Sequence, residues 1–243
     1  PRCFEVEKRL REELDIPVFH DDQHGTAIVT LAGLLNALRV VDKKIEAVRI
    51  VVNGAGAAGV AVSKLLMRAG VSDLVICDSR GIIYEWREGL TPYKEEMAAV
   101  TNPRGVIGDL AEAMKDADVF VGVSVPNVVT SDMVSTMADK AIVFAMANPT
   151  PEIMPEEAKA GGAAVVATGR SDLPNQINNA LVFPGIFRGL LDGRAKQVTN
   201  EMLLKSSQAL AELVEAPTSE KIIPQISEKG VSEAVAEAIL DCC

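Results

Sequence analysis

Five short apolar runs recur along the chain, at residues 50–52, 74–77, 119–123, 141–145 and 164–167. Between them lie stretches in which apolar residues return every three or four positions, or in which a helix start is marked. Runs of this length with no polar alternation fit strands buried on both faces of a parallel sheet. The segments between them predict helices. One opens after the glycines at 54–59 and a second spans about 92–99 with proline at its start. Further helices span 109–115, 131–138 with Ser131 as N-cap, and from Pro155 to the glycine pair at 161–162. Before the first run, residues 4–14 place Phe4, Val6, Leu10 and Leu14 among charges, an amphipathic helix that Pro17 ends. Residues 17–19 read as a short strand and 20–26 as a polar loop. Residues 27–41 carry Ile28, Leu31, Leu34, Leu35, Leu38 and Val41 at helical spacing, with Thr26 near the start. A polar insertion fills 79–101, and the tail from 199 reads as two helices broken around Pro217 and Pro224. The expected fold is α/β, a doubly wound parallel sheet of Rossmann-like type with flanking N- and C-terminal helices. Its parts are 1–44, 45–198 and 199–243.

The first apolar run leads into Gly54-Ala55-Gly56-Ala57-Ala58-Gly59, a G-x-G-x-x-G at a strand-to-helix turn. In such a turn the first glycine permits the tight bend, the second lets backbone approach a pyrophosphate, and the third lets helix and strand pack closely. The helix N-terminus then offers unpaired N–H groups and a partial positive charge to the phosphates. The next strand ends in Asp78, 19 residues after Gly59. An acid there is placed to meet the adenosine ribose hydroxyls. A glycine-rich turn that binds nothing is the competing reading, and the strand, turn, helix, strand and acid in sequence weigh against it.

Composition narrows the partners. The chain has 243 residues, a net charge of −10 and 48% hydrophobic residues, long enough for a sizeable core. The acidic balance disfavours nucleic acid or an anionic membrane as partner. No apolar stretch approaches a membrane span of about 18 residues, and the first residues do not resemble a targeting peptide. Cys3, Cys77, Cys242 and Cys243 lack C-x-x-C spacing, which fits thiols in a reducing, cytoplasmic setting better than zinc. The chain opens on Pro1 in what reads as running sequence, so a longer parent protein is expected.

Two further groups of residues carry chemistry. Asp21 and Asp22, flanked by His20 and His24, place two carboxylates side by side. A divalent cation such as Mg²⁺ or Mn²⁺ would compensate them, and a solvated loop with Asp22 or Thr26 capping the next helix is the other reading. Asn148 follows a strand at its carboxyl end, and Asn175, Asn178 and Asn179 precede Phe183-Pro184-Gly185. Amides at such ends can hold a substrate carboxylate or a nicotinamide carboxamide, and turn residues are the alternative, for Asn175 above all.

Phe19-His20-Asp21-Asp22-Gln23-His24-Gly25-Thr26-Ala27, the glycine turn, Ala147-Asn148-Pro149-Thr150-Pro151-Glu152, Gly169-Arg170-Ser171-Asp172 and Phe183-Pro184-Gly185-Ile186-Phe187-Arg188-Gly189 together resemble the cofactor-binding part of bacterial-type malic enzymes. The resemblance runs over nearly the whole chain. It implies oxidative decarboxylation of (S)-malate to pyruvate and CO₂ with reduction of NAD or NADP, aided by Mg²⁺ or Mn²⁺. It implies Asp22 as a metal ligand and Asp21 as a catalytic residue that organises its neighbours. Asn148, Asn178 and Asn179 would face substrate. The cofactor would meet Thr26, Gly54, Ala55, Gly56, Ala57, Ala58, Gly59, Asp78, Ser124 and Asn148. In that family a base lysine, an acid tyrosine and two more acidic ligands lie upstream of the stretch matching Pro1. The chain by itself is therefore expected to bind dinucleotide without turning malate over. Asp78 favours NAD, since a carboxylate repels a 2′-phosphate, while Arg80 could accommodate one. Family members form dimers or larger assemblies, so a homodimer or higher homo-oligomer is expected. An amino-acid dehydrogenase and a non-catalytic dinucleotide-binding module are the alternatives.

Overall fold

Strand β1, Arg49–Asn53, is the hub of the sheet. In the computed structural model, which describes residues 2–243, it pairs in parallel with β2, Asp73–Asp78, on one side and with β4, Val119–Gly122, on the other. Strands β5, Ile142–Ala145, and β6, Val165–Thr168, extend the sheet in parallel beyond β4. A two-residue strand, β3, Gly81–Ile82, closes the opposite edge and runs antiparallel to β2. The order is β3-β2-β1-β4-β5-β6. The chain builds outward from β1 one way and then returns to build outward the other way, so a crevice opens at the carboxyl ends of β1 and β4.

Alternate strand residues feed two separate cores, as the period of two in a strand requires. Ile50, Val52, Leu74, Ile76, Val121 and Phe144 face one layer. Its helices are α2, Thr26–Val41; α3, Ala57–Arg68; α8, Phe183–Asp192; α9, Asn200–Glu212; and α10, Val231–Leu240. Val51, Val75, Phe120 and Val143 face the other, covered by α5, Leu110–Met114; α6, Ser131–Ser135; and α7, Pro155–Ala160. Both faces being covered explains why the strands read as unbroken apolar runs. Helix α4, Pro92–Ala98, lies in the polar insertion, and α1, Arg2–Glu13, packs Phe4 onto the first core.

Several local expectations change. The strand expected at 17–19 does not form; those residues run outside any ladder. The expected loop at 20–26 is instead one turn of π-helix, Asp21–Gly25, running directly into α2. Neither Asp22 nor Thr26 caps that helix, because the preceding turn already continues it. Contrary to the expectation that no apolar stretch approaches a membrane span, together they form Asp21–Val41, whose most apolar 18-residue window has mean hydropathy 1.4, long and apolar enough by composition to cross a bilayer. Here 72% of that window is buried, because α2 is the central helix of its layer. Thr130, not Ser131, caps α6, its hydroxyl accepting from Met133 N–H, and the helix stops at Ser135. The segment from Phe183 is a full helix, started by Pro184. It meets α10 closely, since a Cβ on Gly189 would lie 2.6 Å from that of Ile239.

Buried amides join distant parts of the first layer. Asn36, in the middle of α2, donates to Ala211 O at 2.8 Å and Ile222 O at 2.9 Å. Asn175 is likewise buried, with φ +55°. It donates to Val166 O and Ser219 O and accepts from Ile222 N–H, so it brackets β6 to the connection between α9 and α10.

Candidate dinucleotide and substrate cleft

The glycine turn sits between β1 and α3 with each glycine in a different role. Gly54 has φ +124°, and a Cβ there would come within 2.5 Å of Val123 O. A Cβ on Gly59 would lie 1.7 Å from Gly54 O, so no other residue lets α3 start so close to β1. Gly56 differs: it is exposed, and a Cβ would meet nothing within 4 Å. The space above it is open to a ligand. Helix α3 begins at Ala57 with no side-chain cap and no acidic residue in its first turn. Its N–H groups and dipole therefore face that space uncompensated, which suits a pyrophosphate.

Beside the turn a cleft of about 330 Å³ brings together residues far apart in sequence. Asp22 and Thr26 come from the π turn and α2, Ala58 from α3, Ser124 and Asn148 from the loops after β4 and β5, and Asn178 and Asn179 from the loop after β6. Asp22 is exposed. Asp21 lies behind it. Its Oδ2 accepts from Asn179 Nδ2 at 2.5 Å, while Oδ1 is buried without a partner. Burial first, and then the neighbouring Asp22 charge, push the Asp21 carboxyl above its ordinary range. Gly25 makes this possible, since a Cβ there would lie 2.1 Å from Asp21 Oδ1. Asn178 Oδ1 accepts from Ala180 N–H, leaving its amide N–H groups uncommitted among the hydrogen bonds of the described residues.

Asp78 lies at the end of β2 as expected, but its carboxylate is already engaged. Oδ1 accepts from Arg80 N–H at 2.9 Å, and Oδ2 accepts from Lys94 Nζ at 2.5 Å and from the Arg87 guanidinium. Burial alone would raise its pKa; these partners instead hold it down at about 2. Arg87 also donates to Gly81 O and Ile82 O, which ties β3 to the cluster.

The histidines are not arranged for a metal. His24 Nε2 sits 2.5 Å from Glu7 Oε1, and Gln23 Nε2 donates to Glu7 Oε2 at 2.6 Å. Glu7 anchors the π turn from α1, a contact no local pattern reveals. Among the described residues no three His, Cys, Asp or Glu side chains converge on a metal position. Asp22 therefore supplies at most one ligand, and these residues do not by themselves make a metal centre.

The sheet order, the open position at Gly56, the uncapped α3 N-terminus and the polar cleft at the switch point define a Rossmann-type dinucleotide-binding domain. Residues 23–243 match the family profile described as "Malic enzyme, NAD binding domain", and the chain belongs to the malic enzyme family. It is 53% identical to a bifunctional malic/malolactic enzyme of Bacillus subtilis over 98% of its own length and 59% of that protein. It is also 53% identical to an NAD-dependent malic enzyme of Geobacillus stearothermophilus, covering 99% of itself and 51% of the relative. An NADP-dependent malic enzyme of Escherichia coli is 47% identical over 96% of the chain and 31% of that protein. The crystal structure of an NAD-dependent malic enzyme from Thermotoga maritima superposes with a TM-score of 0.96 at 47% identity, over 99% of this chain and 64% of that one. The chain thus spans less than two thirds of the length of each of these relatives.

Proposed function

We propose that this chain binds NAD or NADP across the β1/β4 crevice and forms one wall of a site for oxidative decarboxylation of (S)-malate to pyruvate and CO₂. The observation that carries this reading is the convergence of Asp22, Ser124, Asn148, Asn178 and Asn179 on one cleft beside the open position at Gly56. The dinucleotide, when bound, supplies the hydride acceptor. The α3 N-terminus and the Gly54–Gly59 backbone would hold its phosphates, with Thr26 and Ala58 against it and Ser124 and Asn148 positioned for its nicotinamide end. The amides of Asn178 and Asn179 suit malate carboxylates. Asp21, fixed by Asn179, would keep Asp22 and the substrate wall in register. Asp22 would offer one carboxylate to Mg²⁺ or Mn²⁺, with the other ligands outside the described residues.

The cleft holds no lysine or tyrosine among the described residues that line it, so nothing here can move protons to and from malate as an amine or phenol would. Purified residues 1–243 should bind NAD in a calorimetric titration and show no malate-dependent NADH formation with Mn²⁺. Turnover by this chain, or absence of dinucleotide binding, would overturn the reading. NAD is the preferred cofactor on the strength of the ionised Asp78 carboxylate. Because Arg87 and Lys94 offset that charge, the preference should be modest, and Asp78→Ser should raise NADP affinity relative to NAD. The remaining proposals are a cytoplasmic location, in keeping with four free thiols, and self-association through exposed apolar residues such as Leu10, Phe183 and Leu240. Sedimentation of the purified chain tests the latter.

A further inference from the structure

The geometry points to Glu152 as a positioning residue for the nicotinamide end of the cofactor, because one buried carboxylate fixes both loops that carry Ser124 and Asn148. This rests on the dinucleotide-binding reading given above. Glu152 is fully buried. Its Oε1 accepts from Ser124 N–H at 2.8 Å and faces Ser124 Oγ at 3.2 Å, and its Oε2 accepts from Ala147 N–H at 2.9 Å. Ser124 follows β4, and Ala147 precedes Asn148 after β5. The carboxylate therefore bridges two adjacent strand ends at the crevice.

Room for it is made by Gly122, the last residue of β4. A Cβ there would lie 2.4 Å from the Glu152 carboxyl carbon. The segment bearing Glu152 is itself pinned, with Val129 N–H donating to Glu152 O and Asn127 N–H to Pro151 O. The partners are all neutral donors. A carboxylate buried among neutral groups is costly to desolvate, and an apolar side chain in its place would strand the Ser124 and Ala147 N–H groups without an acceptor. What only a carboxylate provides is acceptance at both oxygens. Glutamine, of nearly equal volume, would turn an amide NH₂ toward either Ser124 N–H or Ala147 N–H and repel it. Burial pushes the Glu152 carboxyl upward, while the N–H groups of Ala147 and Ser124 pull it back.

The arrangement also decides what Ser124 can do. Its hydroxyl has one proton and two lone pairs. The proton is directed to Glu152 Oε1, and one lone pair accepts from Asn53 Nδ2 at 2.9 Å. The remaining lone pair can only accept. Ser124 thus selects a ligand N–H or O–H donor, and the carboxamide NH₂ of nicotinamide is a donor of that kind. The adenosine half, toward Asp78, is untouched by this clamp.

The test compares NAD with ADP-ribose, which lacks the nicotinamide, as ligands of residues 1–243 by calorimetry. Glu152→Gln should weaken NAD on the order of tenfold, as expected for a broken hydrogen bond to a charged group, and leave ADP-ribose within about twofold. Glu152→Asp, which keeps both acceptors, should recover part of the loss. Equal weakening of both ligands, or no change in either, would overturn the proposal, because a merely structural role cannot move their ratio. If Glu152→Gln does not fold, Ser124→Ala carries the test: the same selective loss of NAD supports the clamp and an unchanged ratio refutes it. Failure of the wild-type chain to bind either ligand would instead overturn the dinucleotide-binding function on which this rests.

Discussion

Removing the charge of Asp78 should destabilise the fold at neutral pH and do so less and less as the pH falls. The side chain is 6% exposed and its partner Arg87 is 9% exposed, so solvent screens the pair little. Partners hold the folded carboxyl at about 2, against an ordinary 3.8. At about 1.36 kcal/mol per pH unit, that difference makes the ionised form worth about 2 kcal/mol to the folded state. The folded value lies below the unfolded one, so the contribution is present in full above pH 4 and is lost as the pH falls toward 2. Roughly half of it should remain at pH 3. Asp78→Asn keeps an oxygen for Arg80 N–H but leaves Arg87 and Lys94 without a counter-charge, so the expected loss at pH 7 is about 2–3 kcal/mol. Urea unfolding followed by circular dichroism on both proteins at pH 7, 5, 4 and 3 gives the gap directly. A gap that stays constant from pH 7 to pH 3 would show that the charge is not its source. A gap near zero at pH 7 would show that Arg87 and Lys94 find other partners.

The glycines of the turn should separate folding from binding. Gly56→Ala, entering open space, should leave the melting temperature within about 2 °C, roughly the effect of less than 1 kcal/mol in a domain this size, while lowering dinucleotide affinity in a calorimetric titration. Gly59→Ala, which must displace Gly54 O, should lower both. Asn36→Ala strands Ala211 O and Ile222 O without their donor, and should cost about 2–3 kcal/mol in urea unfolding at unchanged dinucleotide affinity. A loss below about 0.5 kcal/mol would mean water replaces the amide.

The strands and the glycine turn were legible because their signals are local. Unbroken apolar runs such as 74–77 are what two covered faces require, and Gly54 and Gly59 are demanded by the backbone of the turn itself. No element is assigned from sequence to the segment from Phe183, because its glycines, which face α10 across a close contact, lower helix propensity without a local sign of that contact. The π turn was hidden because Asp21 to His24 is polar at every position and Gly25 follows, and what makes it helical is α2 behind it and Glu7 beside it. Thr130 and Ser131 are equivalent caps on paper, and the backbone chooses between them. The candidate site was legible as a set of residue types at strand ends. Its supports were not: Glu152 reaches Ser124 across 28 positions, and Glu7 reaches His24 across 17. A carboxylate that acts on a distant loop leaves no period or motif. Asp78 shows the reverse. Its position follows from the sequence, while its engagement by Arg87 and Lys94 depends on how the polar insertion folds back.

The bracket made by Asn175 has a mechanical consequence. The loop that carries Asn178 and Asn179 starts three residues later, and it has no strand or helix of its own to stiffen it before the short turn at Asn179–Leu181. Besides Ile177 N–H, which donates to Thr168 O, and the Asn179 bond to Asp21, its support comes from Ser219 and Ile222 in the connection between the last two helices. Through the Asn175 side chain, strain on that connection is passed to the wall of the cleft. A change in the length of the stretch between α9 and α10 would therefore act on the cleft as a lever, shifting its wall without altering any residue that lines it.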